Sequence, residues 1–183
     1  MNACVNYKVS VIVPSYNSFE TIETTIRSIL SQTYNDLEVI VVDDCSTELG
    51  IDNVQRTFQS EPYVKFLLLD KNCGVWNARN VGMEFAQGRF IAFCDADDVW
   101  YPHKLEKQLN ILSLEEADIV FSSYDIIDAF GKGLGTRFIE KDHLSYSDML
   151  NYNHIGNLTA VLDTQKFGVP AQQKFRDGSI CHG

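Results

Sequence analysis

Between Val9 and Phe93 the chain alternates short β-branched apolar runs with stretches of helical period, and that alternation points to a parallel sheet covered by helices. VSVIV (Val9–Val13), LEVIVV (Leu37–Val42), Val64–Leu69 and Arg89–Phe93 read as strands. The first helix is expected after Asn17, an N-cap with Glu20 three residues on, and carries Ile22, Ile26, Ile29 and Leu30 on one face. A weaker helix is expected over Ile51–Gln59 and another over Val75–Gln87. Pro102 then stands where a helix opens, with Leu105, Leu109 and Leu112 as its apolar stripe.

Beyond about residue 115 the pattern changes. Asp118–Gly133 reads as a strand followed by an extended or hairpin segment around Gly131 and Gly133. A short helix is expected over Tyr146–Tyr152 and a strand over Leu158–Leu162. No linker or repeat separates the halves, so residues 1–183 are expected to form one domain with a mostly parallel, mixed sheet.

Charge narrows the partners. Fifteen Lys and Arg against 25 Asp and Glu give a net charge of −10, which argues against nucleic acid, where affinity comes from neutralising phosphates. A small phosphorylated ligand remains compatible if a cation bridges it to the acids. Five scattered cysteines without a CxxC pair suggest neither a disulfide framework nor a zinc site, and fit a reducing cytosol. The longest apolar runs are strand-sized, well below the ~20 residues of a membrane span.

Ligands of open parallel sheets bind beyond the carboxyl ends of the strands. Three polar clusters fall there: Pro14, Ser15, Tyr16 and Asn17 after the first strand; Asp43 and Asp44, opening DDCS, after the second; and Asp95, Ala96, Asp97 and Asp98 after the fourth. Three carboxylates in four positions repel one another unless a cation or hydrogen bonds offset them. Hard oxygen donors with no nearby histidine suit Mg2+ or Mn2+. Asn17 also fits a helix cap, and the DDCS acids fit loop bracing. Arg79 can reach a phosphate or an acid from the following helix. Trp76, Trp100 and Phe85 read as packing residues, and the four histidines show no metal-ligand spacing.

In this order, VSVIVPSYN (Val9–Asn17), SILSQTYNDLEVIVVDDCS (Ser28–Ser46) and NCGVWNARNVGMEFAQGRFIAFCDADDVWYPHKLEKQ (Asn72–Gln108) resemble the family 2 glycosyltransferases, nucleotide-sugar-dependent enzymes of GT-A fold. The resemblance implies a Rossmann-like three-layer α/β/α sandwich, with residues up to about 115 binding the nucleotide sugar and residues 116–183 forming part of the acceptor side. It implies that Pro14 and Tyr16 flank the nucleobase, with Asp44 accepting a hydrogen bond from its edge, which favours a UDP-sugar. Asp43 would brace that loop or the ribose, and Arg79 would steady the ribose and phosphates. Asp95 and Asp97 form the DxD pair, with Asp95 nearer the ribose and Asp97 or Asp98 on the Mn2+ or Mg2+ that bridges the diphosphate.

The implied reaction is inverting transfer to a hydroxyl of a glycan or lipid-linked acceptor, in bacterial surface polysaccharide synthesis. The implied location is the cytoplasm, at the inner face of the membrane, with room for peripheral membrane association of a longer protein. In the family the catalytic base belongs to an ED-type pair downstream of a segment like FRDGSICHG, so the base is expected beyond Gly183 and the chain is expected to be truncated. A non-catalytic nucleotide-sugar-binding module shares every donor-side residue and remains the alternative. A receiver domain would leave PSYN and DADD unexplained, and a phosphohydrolase would need its nucleophilic Asp where Pro14, Ser15 and Tyr16 stand.

Overall fold

The computed structural model describes residues 9–47, 50–115, 117–128, 131–139, 141–151 and 154–167. FRDGSICHG lies outside the described residues. The elements are β1 (Val9–Ser15), α1 (Ile22–Leu30), β2 (Leu37–Asp43), α2 (Ile51–Thr57), β3 (Val64–Leu68), α3 (Val75–Phe85), β4 (Phe90–Phe93), α4 (Lys104–Leu114), β5 (Ile119–Val120), β6 (Tyr124–Ile127), β7 (Gly133–Phe138), α5 (Tyr146–Asn151), a 3-10 turn (Asn157–Thr159), β8 (Val161–Asp163) and α6 (Thr164–Phe167).

Six strands form one sheet in the order β3-β2-β1-β4-β8-β5, while β6 and β7 make a separate hairpin. β1 runs parallel to β2 and β4, and β2 to β3, whereas β8 is antiparallel to both of its neighbours. The mostly parallel, mixed sheet expected from the sequence is therefore present.

Alternation along the central strands sorts the core into two layers. Val9, Val11, Val13, Val39 and Val41 pack against α1, α2 and α4 through Ile22, Ile26, Ile29, Val54 and Leu105. Ile12, Ile40 and Val42 face the opposite way and meet α3 at Ala78. Gly82 lets α3 lie this close, because a Cβ there would collide with Ile12 Cγ2.

Glu38 places a carboxylate inside this core. Glu38 on β2 is fully buried and accepts hydrogen bonds from Ser10 Oγ at 2.7 Å, Gln87 N at 2.8 Å and Lys65 Nζ at 2.8 Å. It thereby ties β1, β3 and the turn after α3 to one carboxylate. Glu38→Ala leaves the Ser10 hydroxyl and the Gln87 N–H without their acceptor, and the expected loss is about 3–5 kcal/mol in urea denaturation.

Two local expectations are corrected. Asn17 does not cap α1, whose N-cap is Thr21; Asn17 instead adopts φ +50° and turns its amide toward Thr47. Pro102 lies outside α4, ahead of its N-cap His103, and in the first turn of the helix Leu105 N donates to the Gln32 side chain, just beyond the end of α1, at 3.0 Å. Among the described cysteines, Cys45 and Cys94 are free thiols and Cys73 is disulfide-bonded. No described helix is long and apolar enough to cross a membrane.

Candidate donor-binding site

The strand order reverses between β1 and β4, since β2 and β3 lie on one side of β1 and β4 on the other. Such a reversal opens a crevice at the carboxyl ends of the strands. A cleft of about 640 Å3 occupies that point, lined by Pro14, Ser15, Tyr16 and Asn17 after β1, Asp44 after β2, and Asp95, Ala96 and Asp97 after β4. Three segments far apart in sequence thus converge as their positions at strand ends imply.

The loops are built rather than loose. Asp43 accepts from the backbone N–H of Ser46 at 2.9 Å and from its hydroxyl, folding DDCS into a tight turn. The Ser46 hydroxyl also accepts from Asn17 N at 2.9 Å, and Asn17 Oδ1 accepts from Thr47 N at 2.9 Å, so the first two clusters are laced together. Asp44 N donates to Ser15 O at 2.8 Å, and its buried carboxylate accepts from Cys73 N at 2.9 Å and Gly74 N at 2.7 Å. Gly74 sits at φ +87°, a conformation that favours glycine, immediately before α3. Thr25 on α1 donates to Ala96 O at 2.9 Å and pins the acidic turn from below.

Tyr16 stands half-exposed at the rim of this framework, its ring free to meet a ligand face.

The three acids of the DADD turn have different surroundings. Asp95 receives a 2.6 Å hydrogen bond from Arg79 Nη2 on its Oδ1. Asp97 is exposed to the cleft and has no hydrogen bond or ion pair among the described residues. Asp98 closes the turn by donating its N–H to Asp95 O at 3.0 Å and faces a neighbouring cavity of about 750 Å3 with Trp100 and Tyr101. Burial first, and then the charges of Asp97 and Asp95, push the Asp98 carboxyl up to about 6.

A raised folded-state value means that the fold holds this proton more tightly than the unfolded chain does, so its contribution to stability falls as pH rises from about 4 to about 6. Asp98→Asn removes that charge. Its stability relative to wild type is expected to rise across that window and level off above it, in thermal denaturation of metal-free protein.

A divalent ion fits this turn on chemical grounds. Asp97 and the second oxygen of Asp95 are hard donors, and the nearby Cys94 thiol is held protonated because burial pushes its pKa well up. Among the described residues no group of three or more His, Cys, Asp or Glu could hold a metal unaided. Mg2+ is commonly held by one or two carboxylates, with substrate phosphates and waters completing its shell.

Among the described residues expected at the site, Asp43, Arg79 and Asp98 do not line the cleft. Asp43 braces its loop, Asp98 faces the other cavity, and Arg79 is 7% exposed and turned onto Asp95. Trp100 is buried as expected, but Trp76 is 71% exposed and Phe85 lies on the surface. Trp76 stands beside the site, with the Arg79 guanidinium 5.2 Å from its ring centroid. The residues not singled out from sequence are Ser18, Thr21, Asn72, Val75 and Ala78 in the lining, and Asn157 behind Arg79. Asn72, Val75 and Ala78 fall inside the NCGVWNARN stretch that carried a signal; Asn157 had none.

The glycosyl transferase family 2 model matches residues 10–161. A Bacillus subtilis glycosyltransferase named for teichuronic acid biosynthesis is 38% identical over 160 residues, covering 87% of this chain and 64% of its own length. A UDP-Glc:alpha-D-GlcNAc-diphosphoundecaprenol beta-1,3-glucosyltransferase of Escherichia coli is 36% identical over 158 residues, covering 86% and 61%. The chain thus spans less than two thirds of these relatives. Among solved structures, S. aureus TarS 1-349 in complex with UDP-GlcNAc superposes with a TM-score of 0.71 at 24% identity, over 88% of this chain and 46% of that one. With the mixed six-stranded sheet, this likeness identifies the fold as GT-A. From its strand order, its cleft and a match over residues 10–161, the chain belongs to glycosyl transferase family 2.

Proposed function

We propose that this chain carries the donor site of an inverting, metal-dependent glycosyltransferase that uses a UDP-sugar and a glycan or lipid-linked acceptor hydroxyl in bacterial surface polysaccharide synthesis. The observation that carries this reading is the convergence of Tyr16, Asp44, Asp95 and Asp97 on one cleft at the switch point of the sheet. The Escherichia coli relative, whose name specifies a UDP-Glc donor and a diphosphoundecaprenol-linked acceptor, supports the choice of ligands. An acceptor of that kind would bring the whole protein to the inner face of the membrane.

In this reading Tyr16 stacks on the uracil ring while Pro14, Ser15 and Asn17 shape its pocket. Asp44 holds the loop at Cys73 and Gly74 with one lone pair on each oxygen, and the remaining lone pairs can accept from the base N–H. Asp95, held by Arg79, meets the ribose, with Ala96 between it and Asp97. Asp97, with Asp95 beside it, would hold Mn2+ or Mg2+, and Asp98 keeps the turn closed. The bound ion would offset the charge of the departing nucleoside diphosphate. Attack by an acceptor hydroxyl on the opposite face of the anomeric carbon requires a general base, a role assigned to none of the described residues.

Calorimetric titration with UDP, GDP, CDP and TDP, each with and without Mn2+, tests the donor site. UDP binding that Mn2+ strengthens is the expected result. Selective binding of another nucleotide would replace the uracil assignment, and binding of none would overturn the donor-site reading.

A further inference from the structure

Arg79 is the most buried cation near the cleft, and its guanidinium has five N–H donors to satisfy. Nη2 donates to Asp95 Oδ1 at 2.6 Å. With the Asn157 amide oriented so that its oxygen faces the guanidinium, Asn157 Oδ1 accepts from Nη1 and from Nη2 at 3.1 Å each. Nε is buried with no hydrogen-bond partner among the described residues, and the Trp76 ring covers one side of the group. The direction of this guanidinium therefore rests on two oxygens, one charged and one neutral.

The two oxygens come from different parts of the fold. Asp95 follows β4, whereas Asn157 opens the 3-10 turn before β8, the antiparallel neighbour of β4. That turn is itself fixed: Thr159 donates from N at 2.9 Å and from Oγ1 at 2.6 Å to Gly156 O, and Thr159 O accepts from Gln108 Nε2 on α4 at 2.6 Å. Asn157 is therefore presented from a rigid support.

Resting on the donor-site reading, we infer that Asn157 is a positioning residue for Asp95: its amide oxygen steers Arg79 so that the guanidinium charge is given to Asp95 alone and its second oxygen stays available to the donor. An amide suits this place because it orients the guanidinium without competing for its charge. A carboxylate of the same shape would compete, drawing Arg79 away from Asp95 and adding negative charge beside the diphosphate. A small side chain would leave two N–H contacts empty and Asp95 loosely held.

The test compares Asn157→Asp and Asn157→Ala with wild type by calorimetric titration of UDP in Mn2+ and by melting temperature. Asn157→Asp is expected to weaken UDP binding about tenfold and Asn157→Ala about threefold, at unchanged stoichiometry. A purely structural role predicts lower melting temperatures with wild-type affinity in both variants, and that result overturns the inference. The crystal structure of Asn157→Asp decides the matter without any ligand. Arg79 turned from Asp95 toward residue 157 supports the inference, and an Arg79–Asp95 contact still at 2.6 Å overturns it. A wild-type chain that binds no nucleotide would instead sink the donor-site reading, leaving this structural readout to judge the steering.

Discussion

Asp97→Asn is expected to abolish the metal-dependent part of UDP binding, raising the Kd in Mn2+ by roughly 100-fold, about 2.7 kcal/mol, while leaving the fold intact. The size follows from the position of the residue. Asp97 is exposed in the cleft and makes no hydrogen bond or ion pair among the described residues, so it contributes little to stability. Its carboxylate nevertheless sits among three acids, an arrangement that is repulsive until a cation arrives. Asparagine keeps the shape and one neutral oxygen but removes the charge that a hard divalent ion requires. Calorimetry with and without Mn2+ separates the outcomes: the variant should bind UDP no better with Mn2+ than without. If the Mn2+ increment survived in Asp97→Asn and disappeared in Asp98→Asn, the metal would belong to Asp98 and the neighbouring cavity.

What could be read from the chain, and what could not, divides by the range of the forces involved. Val9–Val13 and Leu37–Val42 declared themselves as central strands because burial on both faces favours β-branched apolar runs, here interrupted only by Ser10 and Glu38, which hydrogen-bond to each other. The clusters at their ends then had to converge, since parallel strands share one carboxyl edge. Asn17 was misread as a cap because its positive φ and its bonds to the Ser46–Thr47 turn depend on a segment about thirty residues away, invisible to a local rule. For Arg79 the spacing along α3 left a phosphate and an acid equally open, and only the fold brings Asp95 within reach of its guanidinium. Trp76 looked like core by composition, yet it stands on the exposed first turn of α3, where the Arg79 cation lies over its ring. Asn157 gave no sign at all, because its role exists only once β8 has paired with β4.

Asp44→Asn should produce the other large effect, and it differs from that of Asp97→Asn in kind. The Asp44 carboxylate accepts two backbone N–H groups, Cys73 at 2.9 Å and Gly74 at 2.7 Å, one on each oxygen. Asparagine offers one acceptor and an NH2 group, so one of these N–H groups must face a donor. Hydrogen bonds to a charged acceptor are worth ~1.5–3 kcal/mol, and the expected destabilisation is about 2–3 kcal/mol. The loop cannot relax in isolation, because Gly74 leads into α3 at φ +87° and Asn72, Gly74 and Val75 line the cleft. The base pocket should therefore deform, and UDP affinity should fall more than tenfold whether or not Mn2+ is present. Urea denaturation and calorimetry together discriminate the causes. Lower stability with unchanged UDP affinity would mean that Asp44 braces the loop and touches no base. A loss confined to Mn2+-containing titrations would tie Asp44 to the phosphate end of the donor, against the assignment of the uracil edge to this acid.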